Sequence, residues 1–508
     1  MEHYMKYINV AINLPVKNLF KQFTYAVPPQ LDHVDVGWRV VAPFGYQTVE
    51  GFVTSFAAAA PVEYECKEIL ATLDTRPWFD EEMLATANWL SEYYLCSPAE
   101  AMRLFIPGKT SIKRQAVYND EGKLIAYDYE NKLKIKTRIC FAVTEAGREA
   151  LVAYNKRLRA QMHALEVLAE AERPLSGEEL ASVQVSAATL RILCEKGWSE
   201  RSEQRVLRNS YANRRELKES LHLTDEQRRA VDAIGSAITE PHQETFLLQG
   251  ITGSGKTEVY LRAAAQAMEA GKQVLLLVPE IALTAQIVKR FQAWFGDEVA
   301  VAHSKLSQNE RADVWYKMRT NSAKLLIGVR SAVFAPFSDL GLIIIDEEHE
   351  SSYKQDERPN YHARTVALKR AQLSGIPVVL GSATPDLESF YKARQGTYTH
   401  LHLLQRANGS MLPHVELADM RLELQRGNKS VLSAALNDAL LQTAVQGEQA
   451  IVLLNRRGFS TFVMCRDCGE SIVCPHCAVA LVYHSAGEAM RCHYCGNTAP
   501  IPDECPNC

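Results

Sequence analysis

The sequence predicts a multidomain α/β protein, and three observations carry that expectation. At 508 residues the chain exceeds the size at which single cores stop growing, roughly 250–300 residues, so three or more domains are expected. From Leu223 onward, short apolar runs ending in turns alternate with amphipathic stretches, the pattern of a parallel sheet with helices on both faces. Eight of the 12 cysteines crowd into residues 465–508, which marks a separate small module. Hydrophobic content of 47% and charged content of 23% are ordinary for a globular protein. No apolar run approaches the roughly 18 residues of a membrane span, and the first residues lack the layout of a secretory signal. A cytoplasmic protein is expected. With a net charge of −4, any contact with nucleic acid must rest on local basic surfaces.

In chain order, residues 1–110 hold short β-type runs (Tyr7–Ile12, Phe23–Val27, Arg39–Ala42, Gly51–Ser55) punctuated by Pro and Gly, which predicts a small β-barrel or sandwich, with helical residues near Glu81–Tyr94. Residues 111–138 alternate lysine with apolar and acidic residues, as an exposed hairpin insertion does. From Glu145 to Arg205 the pattern turns helical, and LSGEELASVQVSAATLRILCEKGWSERSE reads as a helix-turn-helix followed by a wing. Arg205, Arg208, Arg214, Arg215 and Lys218 then mark a basic linker over 206–222.

The α/β region begins with a strand, Thr245–Gln249, then Gly250-Ile251-Thr252-Gly253-Ser254-Gly255-Lys256-Thr257 and a helix. This is the phosphate-binding loop G-x-x-x-x-G-K-[ST] in its required strand–loop–helix setting. Glycines let backbone N–H groups wrap the phosphates of ATP, the helix N-terminus adds a favourable dipole, Lys256 reaches the β and γ phosphates, and Thr257 ligates Mg²⁺. About 90 residues on, Leu342-Ile343-Ile344-Ile345 ends in Asp346-Glu347-Glu348-His349. An aliphatic strand ending in Asp places a carboxylate at the sheet edge beside the phosphates, so Asp346 suits Mg²⁺ and Glu347 suits polarising the attacking water. Lys256, Asp346 and Glu347 are the expected catalytic residues.

The eight terminal cysteines form four C-x-x-C pairs: Cys465/Cys468, Cys474/Cys477, Cys492/Cys495 and Cys505/Cys508. In a reducing compartment these are zinc ligands rather than disulfides, and four thiolates per ion give two Zn²⁺ sites. The middle gap lies near the usual spacing for Cys474, Cys477, Cys492 and Cys495 to share one ion, leaving Cys465, Cys468, Cys505 and Cys508 for the other; sequential pairing stays open on spacing alone. His476, His484 and His493 are left over.

D-E-x-H after a phosphate loop is the signature of superfamily 2 helicases. LTDEQRRAV (223–231), GITGSGKTEVYL (250–261), LVPEIALTAQ (277–286), HSKLSQNER (303–311), IGVRSAVFAPF (327–337), IIIDEEHESSYKQDERPNYHAR (343–364), GSATPDLES (381–389) and LLNRRGF (453–459) together resemble the PriA family of bacterial replication-restart helicases. The resemblance implies a RecA-like ATP-binding lobe over 223–400, the start of a second such lobe over 401–464, and a cysteine-rich insertion over 465–508 whose ligands pair in the nested way. It implies that Gln227 meets the adenine ring, although T-x-x-Q also makes an ordinary helix cap. Arg330 and Ser382-Ala383-Thr384 correspond to segments that touch DNA or couple it to hydrolysis. Tyr353, Lys354, Tyr361 and Arg364 fall in an aromatic-rich DNA-sensing loop, where aromatics would stack on bases and the cations meet phosphates; the plain alternative is that these tyrosines cover the sheet edge. Phe23, Gly45 and Lys67 correspond to a pocket for a DNA 3′ end, with Thr24 where the family commonly has Asp.

The function implied is an ATP-dependent 3′-to-5′ DNA helicase that recognises stalled forks and starts primosome assembly. Its implied partners are forked and single-stranded DNA, single-stranded-DNA-binding protein and primosome or helicase-loader proteins, and it is implied to be a nucleoid-associated monomer. The rival readings are a different P-loop ATPase and an ATP-independent fork-binding zinc protein; neither accounts for the phosphate loop, the Ser-Ala-Thr segment and the cysteine pairs together. No Q-x-x-G-R-x-G-R segment follows Asn455-Arg456-Arg457, so the chain is expected to be truncated within the second lobe and to hydrolyse ATP feebly, since such arginines contribute ~10³–10⁵ in rate.

Overall fold

The computed structural model describes every residue except 1–4, 15–19, 109–111, 120–122, 132–135, 154–157, 207–221, 281–282, 284, 408, 410, 412, 429, 454–462, 466–467 and 485–488. Most of the expected basic linker, and most of LLNRRGF, therefore lie outside the described residues. The chain forms two compact units, 1–410 and 411–508.

The first unit opens with β1 (Lys6–Ile12), β2 (Phe23–Val27), β3 (Arg39–Phe44), β4 (Gln47–Ala57) and β5 (Ala71–Thr72) in the order β2-β1-β4-β3-β5. Residues just before β5 return to the other edge, with Ala26 N–H donating to Lys67 O at 2.9 Å and Ile69 N–H to Ala26 O at 3.1 Å, so the sheet closes on itself. Alternate side chains such as Ile8, Val10, Ile12, Val40 and Val53 fill its interior. The two helices that follow, α1 (Glu81–Tyr93) and α2 (Pro98–Arg103), start at the side-chain caps Asp80 and Ser97. Met83, Leu90, Met102 and Phe105 are buried with Trp315, Phe334 and Tyr361 much later in the chain, so these helices share a core with the nucleotide-binding sheet. The β-barrel keeps a core of its own, and Ala11 and Phe52 on its strands join the helices in the larger one.

A hairpin of β6 (Ile112–Tyr118) and β7 (Leu124–Asn131) precedes a mixed segment of β8 (Thr137–Val143), α3 (Glu145–Val152), α4 (Arg159–Glu170), β9 (Leu175–Ser176), α5 (Gly177–Ser182), α6 (Ala187–Glu195) and β10 (Ser199–Arg205). Helices α5 and α6 form the helix-turn-helix, and β10 pairs antiparallel with β8, which lies upstream of it in the chain. Arg205, read as the start of the linker, instead ion-pairs with Asp313 at 2.8 Å and lies over the Tyr316 ring.

Next come α7 (Asp225–Thr239), β11 (Thr245–Gly250), α8 (Lys256–Glu269), β12 (Gln273–Leu277), α9 (Ala285–Phe295), β13 (Val299–Ala302), α10 (Gln308–Arg319), β14 (Leu325–Gly328), β15 (Leu340–Ile345), α11 (Ala363–Ser374), β16 (Val378–Ser382), α12 (Leu387–Arg394) and β17 (Thr399–Leu403). The seven strands make a parallel sheet in the order β13-β14-β12-β15-β16-β11-β17. Leu275, Leu277, Ile343 and Ile345 point to one buried layer, and Val274, Leu276, Leu342 and Ile344 to the other. That is why these strands read as unbroken aliphatic runs. The boundary expected at 400 falls inside β17, whose pairing with β11 makes it part of the first sheet.

The second unit holds α13 (Met420–Gln425), α14 (Ala434–Val445) and a small sheet of β18 (Val482–His484), β19 (Ala489–Arg491) and β20 (Thr498–Pro500), with Leu481 and Met490 packed beside Cys474 and Cys492.

Candidate functional site

The carboxyl ends of β11, β16 and β15 stand side by side, and each delivers functional residues. The turn after β11 needs a left-handed backbone at Gly253 (φ +82°) and Gly255 (φ +84°), which glycine adopts without steric cost. A Cβ at Gly255 would lie 2.3 Å from Gln227 Nε2. Ile251 and Ser254 close the turn through a 3.0 Å backbone hydrogen bond, Thr252 is exposed, and Thr257 is half-buried in the first turn of α8. The Lys256 ammonium donates to Gly250 O at 3.0 Å and lies 3.9 Å from Glu347 Oε1. The Ser254 hydroxyl is buried without a partner among the described residues. A glycine cradle, a held ammonium and an orphan hydroxyl fit a polyphosphate.

Gln227 is 3% exposed and both ends of its amide are engaged. Its oxygen accepts from Thr224 N–H at 2.9 Å, and its nitrogen donates to Ser254 O at 2.8 Å. The residue implied to read adenine is therefore, in this structure, both a helix cap and a tether on the phosphate loop. A second contact was not visible in the sequence: the chain leaving β17 returns to the loop, with Ile251 N–H donating to Leu403 O at 3.2 Å and Ala407 N–H to Gly253 O at 2.9 Å.

Each residue of the segment after β15 faces a different neighbour. Asp346 Oδ1 accepts from Tyr260 Oη–H at 2.9 Å; burial, and the Glu347 carboxylate next to it, push the Asp346 carboxyl above its ordinary value. Glu347 takes a left-handed backbone (φ +43°), unusual for a side chain of its size, and turns toward Lys256. Glu348 is fully buried; it pairs with the Arg364 guanidinium and accepts from Ser389 Oγ–H at 2.9 Å and Asp386 N–H at 2.7 Å. His349 Nδ1 lies 2.8 Å from Ser382 Oγ at the end of β16, which also accepts from Thr384 N–H at 3.0 Å.

The residues expected to sense DNA sort differently. Tyr353 and Tyr361 are each 1% exposed. The Tyr353 hydroxyl donates to Asp346 O at 2.7 Å, and the Tyr361 ring meets Phe334 edge-on with centroids 4.8 Å apart. Neither presents a face on which a base could stack, so the expectation is corrected: both are core residues that seat the segment, because the helices before residue 107 cover them. Arg364, spent on Glu348, is likewise an internal ion pair rather than a phosphate contact. Arg330 donates to Lys354 O at 2.7 Å and pins that loop. Lys354 is exposed, its ammonium 5.7 Å from the centroid of the Tyr94 ring.

In the barrel, Phe23 packs edge-on against Phe44 at 4.9 Å and Tyr64 at 6.4 Å, while Gly45 and Lys67 are exposed at its surface. The Thr24 hydroxyl donates to Asn9 Oδ1 at 2.9 Å, and its N–H donates to the Tyr64 hydroxyl at 2.8 Å.

The eight cysteines gather into two clusters, Cys465/Cys468/Cys505/Cys508 and Cys474/Cys477/Cys492/Cys495. The nested pairing is thereby chosen over the sequential one. Sulfur separations of 3.6 Å (Cys465–Cys508), 3.7 Å (Cys468–Cys505) and 3.6 Å (Cys474–Cys495) match the edge of a tetrahedron with metal–sulfur bonds of about 2.3 Å. No cysteine is in a disulfide. His484 and His493 face each other at 3.2 Å and join neither cluster. Four thiolates per centre leave no open position, the mark of a structural zinc.

Sheet, phosphate loop and acidic segment define a DEAD/DEAH-type helicase lobe, and family models agree along the chain: the 3′ DNA-binding domain (3′BD) matches residues 9–107, the DEAD/DEAH box helicase residues 224–392, and the PriA DNA helicase Cys-rich region (CRR) domain residues 474–500. Replication restart protein PriA of Bacillus subtilis (strain 168) is 38% identical over 99% of this chain and 69% of its own length. Its counterparts from Haemophilus influenzae and Synechocystis are 35% and 34% identical, over 99% and 96% of this chain and 66% of their own lengths. The chain belongs to the PriA family of replication restart proteins and spans about two thirds of these relatives. Among solved structures, the Pyrococcus furiosus Hef helicase domain is 19% identical, covering 43% of this chain and 47% of that one at a TM-score of 0.28. No helix among the described residues is long and apolar enough to cross a membrane.

Proposed function

We propose that this chain is the DNA-binding and ATP-binding part of a 3′-to-5′ replication-restart helicase that acts on forks in the cytoplasm and begins primosome assembly, with single-stranded-DNA-binding protein and loader proteins as partners. The observation that carries the reading is the convergence of Lys256, Asp346 and Glu347 at one sheet edge, with His349 joined to Ser382 beside them. Lys256 would leave the Gly250 carbonyl to hold the β and γ phosphates of ATP, and Glu347, held by its backbone to face the loop, would orient the attacking water. Thr257 and Asp346 are the groups for Mg²⁺, which would neutralise charge on the phosphate oxygens. The barrel around Phe23, Gly45 and Lys67 would take the DNA 3′ end, with Thr24 in place of a carboxylate.

ATP hydrolysis should be measured with forked DNA, with duplex and without DNA, in this chain and in a full-length form. Forked DNA should stimulate most, and Lys256→Ala should abolish hydrolysis while sparing fork binding. Equal rates under all three conditions in the full-length form would sink the restart-helicase reading.

A further inference from the structure

We propose that Tyr260 is a positioning residue for the nucleotide's metal: its hydroxyl, admitted through a gap in the sheet at Gly381, sets the orientation in which the Asp346 carboxylate meets Mg²⁺. The proposal deepens the nucleotide-binding reading above and rests on it. Three segments meet at this point, namely helix α8 behind the phosphate loop, the end of β15 and the end of β16.

Helix α8 carries Lys256 and Tyr260 four residues apart, which places them on one face. That face meets two consecutive carboxylates. The Lys256 ammonium lies 3.9 Å from Glu347 Oε1, and the Tyr260 hydroxyl donates to Asp346 Oδ1 at 2.9 Å. One helical turn thus joins the residue for phosphate to the residue for the metal. Tyr260 is 1% exposed. Burial and the Asp346 carboxylate push its hydroxyl well above its ordinary value, so it remains a donor.

Gly381 makes the contact possible. It lies in β16, the strand between β15 and β11. A Cβ at this position would overlap Tyr260 Oη and stand 2.8 Å from Cζ. Glycine inside a strand weakens it and marks a close approach, and what approaches here is the hydroxyl end of the ring. The Gly381 carbonyl also accepts from Glu348 N–H at 3.0 Å, so the same residue seats the acidic segment from a second side.

Asp346 has a use for such a partner. Its main chain is held on both sides, its N–H donating to Leu277 O at 2.9 Å and its carbonyl accepting from the Tyr353 hydroxyl at 2.7 Å. The side chain still turns about two bonds, and a charge-assisted hydrogen bond restricts that turn. Mg²⁺ demands near-octahedral oxygen geometry and gives up water reluctantly. A carboxylate already fixed in orientation therefore binds it at a lower ordering cost.

The test is binding of mant-AMP-PNP, a fluorescent ATP analogue that resists hydrolysis, in Mg²⁺ and in EDTA, with thermal melting as the control. Tyr260→Phe keeps the ring and deletes the hydroxyl. It should leave affinity in EDTA unchanged and cut the gain that Mg²⁺ brings by about threefold to tenfold. Gly381→Ala, which displaces the hydroxyl, should cut that gain likewise; Tyr260→Phe decides the matter alone if Gly381→Ala does not fold. In an Asp346→Asn background Tyr260→Phe should change nothing further, because Tyr260 acts through Asp346. A full Mg²⁺ gain in Tyr260→Phe would overturn the proposal. So would an equal loss in Mg²⁺ and in EDTA, the mark of a tyrosine that only packs. If the unaltered protein does not bind the analogue, or binds it no better with Mg²⁺, the nucleotide-binding reading itself fails.

Discussion

Replacing Arg364 by Ala distinguishes an internal ion pair from a DNA contact. Its partner Glu348 is 0% exposed, so the substitution strands a carboxylate in the interior. Removing one partner of a buried pair destabilises by about 3–5 kcal/mol. Two donors would remain on Glu348, Ser389 Oγ–H at 2.9 Å and Asp386 N–H at 2.7 Å, which places the expected loss at the lower end, about 3 kcal/mol. A surface arginine used only for DNA would cost within about 0.5 kcal/mol. Urea unfolding of the first unit reads the difference directly. Adding Glu348→Gln to Arg364→Ala removes the stranded charge, so the double variant should recover about 2 kcal/mol relative to simple addition. The reasoning fails if Arg364→Ala leaves the urea midpoint unchanged while DNA affinity falls.

Two further outcomes follow from the same structure. Atomic absorption should find two zinc ions per chain; Cys474→Ser should remove one, His484→Ala none, and chelation should abolish the circular dichroism signature of the cysteine-rich unit. Burial raises the Glu82 carboxyl, but the Arg370 guanidinium at 2.7 Å outweighs it and holds the group below its ordinary 4.5. A depressed carboxylate contributes stability that is complete above 4.5 and is lost as pH falls through its folded value. The unaltered protein should therefore lose melting temperature more steeply below pH 4.5 than Glu82→Gln does; parallel curves would show that the pair does not anchor α1 to the lobe.

What the sequence disclosed depends on how local each constraint is. The phosphate loop was legible because its glycines, its lysine and its helix start are all contained in eight residues. The zinc ligands were legible as residues but not as pairs, since spacing alone allowed two pairings and only the three-dimensional meeting of Cys465 with Cys508 decides between them. Between the two readings of Tyr353 and Tyr361, DNA-sensing or covering the sheet edge, the sequence does not choose, and burial favours the second. An aromatic-rich loop after an acidic motif reads as exposed, and what buries it comes from residues 81–106, beyond the reach of any local pattern. Phe105, Phe334 and Tyr361 meet edge to face with centroids 5.2 and 4.8 Å apart, joining the residues just after α2 to that loop. The same distance in sequence hid β17 and the return of Ala407 to the phosphate loop.

Four consecutive residues divide the work of the site. Asp346 and Glu347 face the nucleotide loop, Glu348 is spent on α11 and α12, and His349 reaches Ser382. A shift of the phosphate loop that moves Glu347 must also move its neighbours, because Glu348 fixes the segment and Tyr353 holds the Asp346 carbonyl at 2.7 Å. The His349–Ser382 hydrogen bond at 2.8 Å joins the segment after β15 to the end of β16, beside the Glu348 N–H bond to Gly381 O at 3.0 Å. Its removal in His349→Ala should leave ATP affinity intact, since His349 approaches Glu347, at 3.7 Å, and not the phosphate loop. Losing one such bond costs about 1 kcal/mol, roughly fivefold, and that loss should fall on the DNA stimulation of hydrolysis. Ser382→Ala also removes the acceptor for Thr384 N–H, so it should give at least that deficit, and the double variant no more than Ser382→Ala alone. Additive deficits in the double variant, or weakened ATP binding in either single one, would show that the two residues act separately and that coupling runs elsewhere.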